Sequence, residues 1–263
     1  MNVYFDNAAS TRVRDESIEV MSRVMREDFG NPSSMHALGR RAKNELEGAR
    51  KSIASALGAK SENIYFTSGG TEANNWAILG VVDGLARKGR HIITSVTEHS
   101  AVMAPMKKLE SMGWDVTYLM PDSSGHIPVQ DFSAALRDDT VFTSILLVHN
   151  ETGVVNPIGE YAGEIKRRGL STVMHTDAIQ AFCKIPPPRM CCRLPSFAQS
   201  SLRTKHPSPS LKYVPRKLSG GLRLAVRSRQ PFAKTPPPFC RFYIIRRDAQ
   251  SPRAFCYLAR SSF

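Results

Sequence analysis

The sequence predicts an α/β protein with a mostly parallel sheet and helices on both faces. Three observations predict it. Segments with helical spacing of apolar residues take turns with short apolar runs over residues 42–178. Strand–helix alternation of this kind builds parallel sheets, because each crossover helix covers one face. The 263-residue chain also contains no apolar run of the roughly 18 residues that would span a membrane.

Taken in order, residues 42–59 place Leu46, Ala49, Ile53 and Leu57 at helical spacing. Residues 63–68 follow as a short strand, and residues 71–89 as a helix ending in Lys and Gly. The string HIITS is a strand, and SAVMAPMKKLESMG a helix. Then come the strand WDVTYLM, the helix VQDFSAALRD and the apolar strand VFTSILLVHN. The helix IGEYAGEIKRRG and the strand STVMHTDA close the series. Ligands of such sheets sit at the carboxyl ends of the strands.

The net charge of +13 is unevenly spread. Residues 1–186 hold 20 Lys and Arg against 22 Asp and Glu, a balance of −2. Residues 187–263 hold 16 against the single acid Asp248, a balance of +15. That tail also carries 11 of the 17 prolines and four of the five cysteines. Its composition predicts a basic, Pro-rich, largely disordered segment. The cysteines read as thiols rather than a disulfide framework. The N-terminal string MNVYFDNAAS lacks a basic-then-apolar layout, so no signal peptide is expected and the cytoplasm is.

Five motifs carry candidate chemistry. In TSGGTEANN, two glycines and Thr71 open a helix whose free N–H groups suit a phosphate; a plain glycine turn with a threonine cap would read the same way. In SVTEHSAV, His99 follows a strand, where an imidazole can stack on a flat ring or shuttle a proton; a surface histidine near a cap is the alternative. In LLVHNETGVVNPI, Asn150 can hydrogen-bond a ring oxygen, or simply open a turn. In HTDAIQ, Asp177 can pair with a protonated ring nitrogen, or cap a helix, and Gln180 lies one turn on. Near the N-terminus, Asn31, Ser33, Ser34 and His36 are candidates to line a substrate site.

Together the order resembles the cysteine desulfurase family, within the class V aminotransferases. The matching strings are YFDNAAST, FGNPSSMHALGRRA, IYFTSGGTEANNWAI, HIITSVTEHSAV, VHNETGVV and HTDAIQAFCKIP. The resemblance covers residues 1–186. It implies the large domain of the aminotransferase-like fold that uses pyridoxal 5'-phosphate, incomplete at its C-terminal end. It implies that Gly70 and Thr71 hold the cofactor phosphate and that His99 stacks on the ring and assists proton transfer. Asn150 and Gln180 would contact the ring oxygen, and Asp177 the ring nitrogen. The implied reaction converts L-cysteine to L-alanine, passing sulfur through a cysteine persulfide toward iron–sulfur clusters or tRNA thiolation. A homodimer and a sulfur-acceptor scaffold protein are the implied partners, with no metal and no membrane.

The tail departs from that pattern. The family's Ser-(Ala/Gly)-His-Lys string, whose lysine bonds the cofactor, is expected near Arg203 or Thr204 and is absent. Lys205 has no histidine before it. Cys191, Cys192, Cys240 and Cys256 lie in Pro-rich, basic contexts unlike the persulfide loop. If residues 201–205 were encoded UCU-CUG-CGC-ACA-AAR, a two-nucleotide shift would spell Ser-Ala-His-Lys. We therefore expect a reading-frame change between about Cys183 and Pro188, and a chain without desulfurase turnover. The alternatives are another class V lyase, such as a selenocysteine lyase, and a non-catalytic binding protein with a basic, nucleic-acid-binding arm.

Overall fold

A computed structural model describes residues 3–185, together with the backbone of residues 244–246 and 255–258. The chain divides into two units, Met1–Cys191 with Phe239–Phe263, and Cys192–Pro238. The second lies outside the described residues, as do Lys205, Cys191, Cys192 and Cys240.

The first unit begins with α1 (Asp15–Glu27) and α2 (Ala37–Ala56), then a single 3-10 turn (Ser61–Asn63) and α3 (Gly70–Leu85). Alternation follows: β1 (His91–Ser95), α4 (Ser100–Ser111), β2 (Asp115–Leu119), α5 (Val129–Ala135), β3 (Thr140–Ser144), α6 (Ile158–Arg167) and β4 (Val173–Asp177). Two short strands, β5 (Ile244–Arg246) and β6 (Phe255–Leu258), complete the sheet. The strand order is β2-β1-β3-β4-β6-β5. Every neighbouring pair is parallel except β5 with β6. The expected α/β architecture is thus present. Two segments of the basic tail lie in the sheet, and the rest of the expectation for 187–263 falls outside the described residues.

Strand residues point alternately to the two faces, so a strand covered on both sides is buried at every position and its polar side chains must find hydrogen-bond partners inside. Strands β1, β3 and β4 are buried along their whole length. Ile92, Phe142 and Val173 face one layer with Ile78 and Val82 of α3 and Val102, Met106 and Leu109 of α4. Ile93 and Met174 face the other, with Phe132 of α5 and Ile158, Tyr161 and Ile165 of α6. One-residue steps along a strand therefore divide α3 and α4 from α5 and α6.

Three expectations need correction. Residues 63–68 do not pair as a strand. Ile64 is extended, but it packs on Ile53 and Ala54 of α2, and Arg50 Nη1 donates to its carbonyl. A side chain has taken the bond a sheet neighbour would have used. The helix expected over 129–138 stops at Ala135, because Leu136 turns extended and buries its side chain. The strand expected over 141–150 ends as a strand at Ser144, yet its path continues beside β4: Ile145 N–H donates to the His175 carbonyl and Leu147 N–H to that of Asp177.

Helix α1 was not marked by the motifs. Asp15 and Glu16 in its first turn and Arg26 in its last suit the helix dipole. None of its residues is buried.

Candidate functional site

Four chain segments meet at the carboxyl ends of β1, β3 and β4 and the start of α3. The central group is Asp177, the last residue of β4, only 2% exposed. Its Oδ1 accepts the Ile179 amide at 3.0 Å, and its Oδ2 accepts Asn74 Nδ2 at 3.1 Å. Burial pushes its carboxyl above the usual range, while those two donors and the nearby His99 pull it back. No ion pair reaches Asp177 among the described residues. A buried carboxylate held by neutral donors is a receptor for a positively charged N–H group.

Asn74 links that carboxylate to the start of α3, one turn from Gly70. Gly69, the residue before the helix, is extended and supplies no side-chain cap. The first-turn amides therefore lack the side-chain acceptor that usually satisfies them. Gly70 is buried and Thr71 exposed. Glu72 is drawn out of the way, because Ser68 donates to its Oε2 from both amide (2.7 Å) and hydroxyl (2.5 Å). Those donors hold the Glu72 carboxyl below its usual range. The helix start is open to an anion.

His99 caps α4: its Nδ1 accepts the Ala101 amide at 3.1 Å, so in the neutral ring the proton sits on Nε2. The residue is exposed and lies close enough to influence Asp177. Asn150 is half-buried in a turn closed by the Val148–Val155 bridge and the His149–Val154 bond. Gln180 is engaged elsewhere: its Nε2 donates to the Ala8 carbonyl at 2.9 Å and its Oε1 accepts Lys184 Nζ at 3.1 Å. A ligand contact by Gln180 requires exchange of one of those bonds. Asn31, Ser33, Ser34 and His36 form the turn that enters α2, with His36 as its cap.

Four residues that the motifs did not single out belong to this cluster. Asn74 is one. Its Oδ1 has no partner among the described residues, nor do Glu98 Oε2, His175 Nε2 and Thr176 Oγ1, all of them buried. His175 is fully enclosed, stacked on Phe142, with Nδ1 bonded to Ser144 Oγ at 2.7 Å. Desolvation drives its imidazole down to about 3 from an ordinary 6.5. Below pH 6.5 the unfolded chain takes up a proton here that the folded chain refuses, so this histidine's contribution is complete above that value and is lost toward about 3. Relative to the unaltered chain, His175→Gln should gain roughly tenfold in folding equilibrium for each pH unit below 6.5, measured by urea unfolding across that range. Parallel curves for the two chains would count against it.

An uncapped helix start, a buried acid at a parallel strand end and an imidazole and an amide on adjoining loops gather at the carboxyl ends of the strands of an α/β domain, where ligands of parallel sheets sit. The comparisons with known proteins name the family. The model for Aminotransferase class-V matches residues 3–188, and the chain belongs to that family.

The chain is 47% identical over 184 residues to the cysteine desulfurase IscS of Dictyoglomus turgidum, covering 70% of this chain and 46% of that one. It is equally identical to the cysteine desulfurase IscS of Methanosarcina thermophila, covering 45% of it. Among solved structures, a NifS-like protein matches at TM-score 0.70 and 37% identity, over 73% of this chain and 52% of that chain. SspA in complex with cysteine matches at TM-score 0.66 and 40% identity, over 70% and 52%. The chain thus spans about half the length of the relatives it matches.

Proposed function

We propose that residues 3–188 are the cofactor-binding part of a cysteine desulfurase-like protein, and that the cofactor is pyridoxal 5'-phosphate. The observation that carries this reading is Asp177, a buried carboxylate at a parallel strand end with neutral donors and no ion pair among the described residues. The free α3 start beside it suits the phosphate. In this reading Gly70 and Thr71 bind the phosphate through backbone amides and a hydroxyl. Asp177 holds the proton on the ring nitrogen, and Asn74 keeps that carboxylate oriented. His99 covers the ring and offers Nε2–H for proton movement. Asn150 and Gln180 serve the ring oxygen. When bound, the cofactor supplies an electron sink for bonds at the amino acid's α-carbon.

The relatives' names favour L-cysteine as substrate, and the cysteine-bound SspA structure favours an amino acid site in this fold. A homodimer, a sulfur-accepting scaffold protein and a cytoplasmic setting follow from the same resemblance. Among the described residues, no helix is long and apolar enough to cross a membrane. We also propose that the reading frame changes near residue 186. In support, the family match ends at 188, where the charge balance changes sign.

Titrating the purified chain with pyridoxal phosphate, read by absorbance and tryptophan fluorescence, tests the proposal. Saturable binding that gel filtration reverses, with no adduct fixed by borohydride, is the expected result. Absence of saturable binding at millimolar cofactor would refute it.

A further inference from the structure

Glu98 stands beside His99 and has no part in the chemistry described so far. It is 8% exposed, and its carboxyl group is wholly enclosed. Two donors converge on one oxygen: Ser95 Oγ at 2.8 Å and the Leu146 amide at 2.7 Å both bond Oε1. Oε2 has no partner among the described residues. Ser95 ends β1, and Leu146 lies two residues past β3. The Leu146 carbonyl is held in turn by Asn156 Nδ2 at 2.9 Å. One side chain thus ties the turn that presents His99 to the segment that runs beside Asp177 and leads to Asn150.

The same geometry decides the charge of this carboxyl. Both donors are neutral, and no Lys or Arg side chain pairs with it among the described residues. The charged group that bears on it is Asp177, which raises its proton affinity further. Two enclosed carboxylates without a cation between them cannot both ionise cheaply. Asp177 has an amide and an Asn74 N–H on its two oxygens, together with the influence of His99, so Asp177 keeps the charge. Glu98 accepts at one oxygen and leaves the other for a proton.

We propose that Glu98 is a positioning residue that works as a neutral acid: protonated, it holds the His99 turn against the β3 exit and leaves Asp177 the only negative charge of the pair. Ionisation would draw water into the enclosed clamp and loosen the turn. The role rests on the cofactor reading only in its last consequence, so it can be tested with and without cofactor.

Burial pushes the Glu98 carboxyl up to about 8 from an ordinary 4.5. The folded chain therefore keeps a proton that the unfolded chain has lost, and this residue's contribution is complete below 4.5 and declines up to about 8. His175, working in the opposite sense, is exhausted above 6.5. Asp177, raised as well, is common to both chains compared below.

The experiment compares the whole chain with Glu98→Gln and Glu98→Ala. Gln keeps the shape and both accepted bonds without ionising; Ala removes the clamp. Infrared difference spectra of unaltered chain minus E98Q at pH 7 should show a protonated carboxylic acid band that disappears through pH about 8. Between pH 6.5 and 8 the unfolding constant of the unaltered chain should rise up to tenfold per pH unit relative to E98Q. NMR of the His99 ring at pH 7 should be unchanged in E98Q and shifted in E98A. Pyridoxal phosphate affinity should follow the same order, falling at least about tenfold in E98A alone. No acid band, or a His99 signal that E98Q disturbs as much as E98A does, would overturn the proposal by making Glu98 a working carboxylate. A His99 signal untouched by either change would remove the positioning role. Failure of the unaltered chain to bind the cofactor would instead count against the cofactor reading, with the infrared, unfolding and NMR results still deciding the role of Glu98.

Discussion

Replacing Asp177 with Ala should weaken pyridoxal phosphate binding by roughly 100-fold or more. Breaking a buried charge pair by removing one partner costs about 3–5 kcal/mol, and each 1.4 kcal/mol is about a factor of ten in affinity. Asp177 is 2% exposed, so little solvent screening reduces that figure. The change also strands Asn74 Nδ2 and the Ile179 amide, both of which now donate to the carboxylate. Asp177→Asn is the sharper variant. It keeps the volume, but its amide meets the Asn74 donor with a donor of its own or turns away from the ring nitrogen. Affinity should fall for both variants while the fold survives, because removing an enclosed charge relieves its desolvation. Fluorescence titration measures the effect. An affinity within threefold of the unaltered chain would show that no cationic group binds at Asp177.

The 263-residue chain should release no alanine and no sulfide from L-cysteine at a steady rate. A chain whose reading frame is restored near residue 186 should do so more than about a thousandfold faster, the scale on which catalytic groups acting together lose activity. The reasoning is chemical. His99, Asp177 and Asn74 can bind and orient, but the sequence shows neither the lysine nor the persulfide cysteine that the resemblance requires. Cys183 is exposed, at the far end of the turn that follows β4. Sequencing codons 175–215 comes first. A second frame that reads Ser-Ala-His-Lys near codon 204 supports the prediction; steady turnover by the present chain refutes it.

Much of the fold was legible because its signals are local. Strand runs such as HIITS carry a short β-branched, apolar centre and are buried on both faces, and the helices between them keep one apolar stripe. What failed was settled by distant partners. Residues 63–68 have strand composition, but Arg50, 14 residues earlier than Ile64, claims the carbonyl a strand would share. Helix α1 did carry a readable period, with Ile18, Met21 and Met25 at helical spacing, yet it buries none of its residues. The site divides in the same way. Asp177 and His99 stand where short motifs meet strand ends. Glu98, in contrast, looks like a solvated residue of a polar turn. Only its bond to Leu146, 48 residues on, puts it inside the protein. Asn74 is likewise an ordinary helix asparagine until Asp177, 103 residues later, is found against it.

The order of the sheet has a consequence for how this site exists at all. From β1 the chain steps outward to β2, then returns to place β3 on the other side of β1. The helix leaving β1 covers one face and the helix reached from β3 the other. Their connecting loops must therefore part as they leave the strands, and the reversal opens a crevice between β1 and β3. The Glu98–Leu146 bond crosses the floor of that crevice. The opening is thus a property of the chain's route, and the loops at its rim are free to change what it admits while the sheet beneath stays as it is.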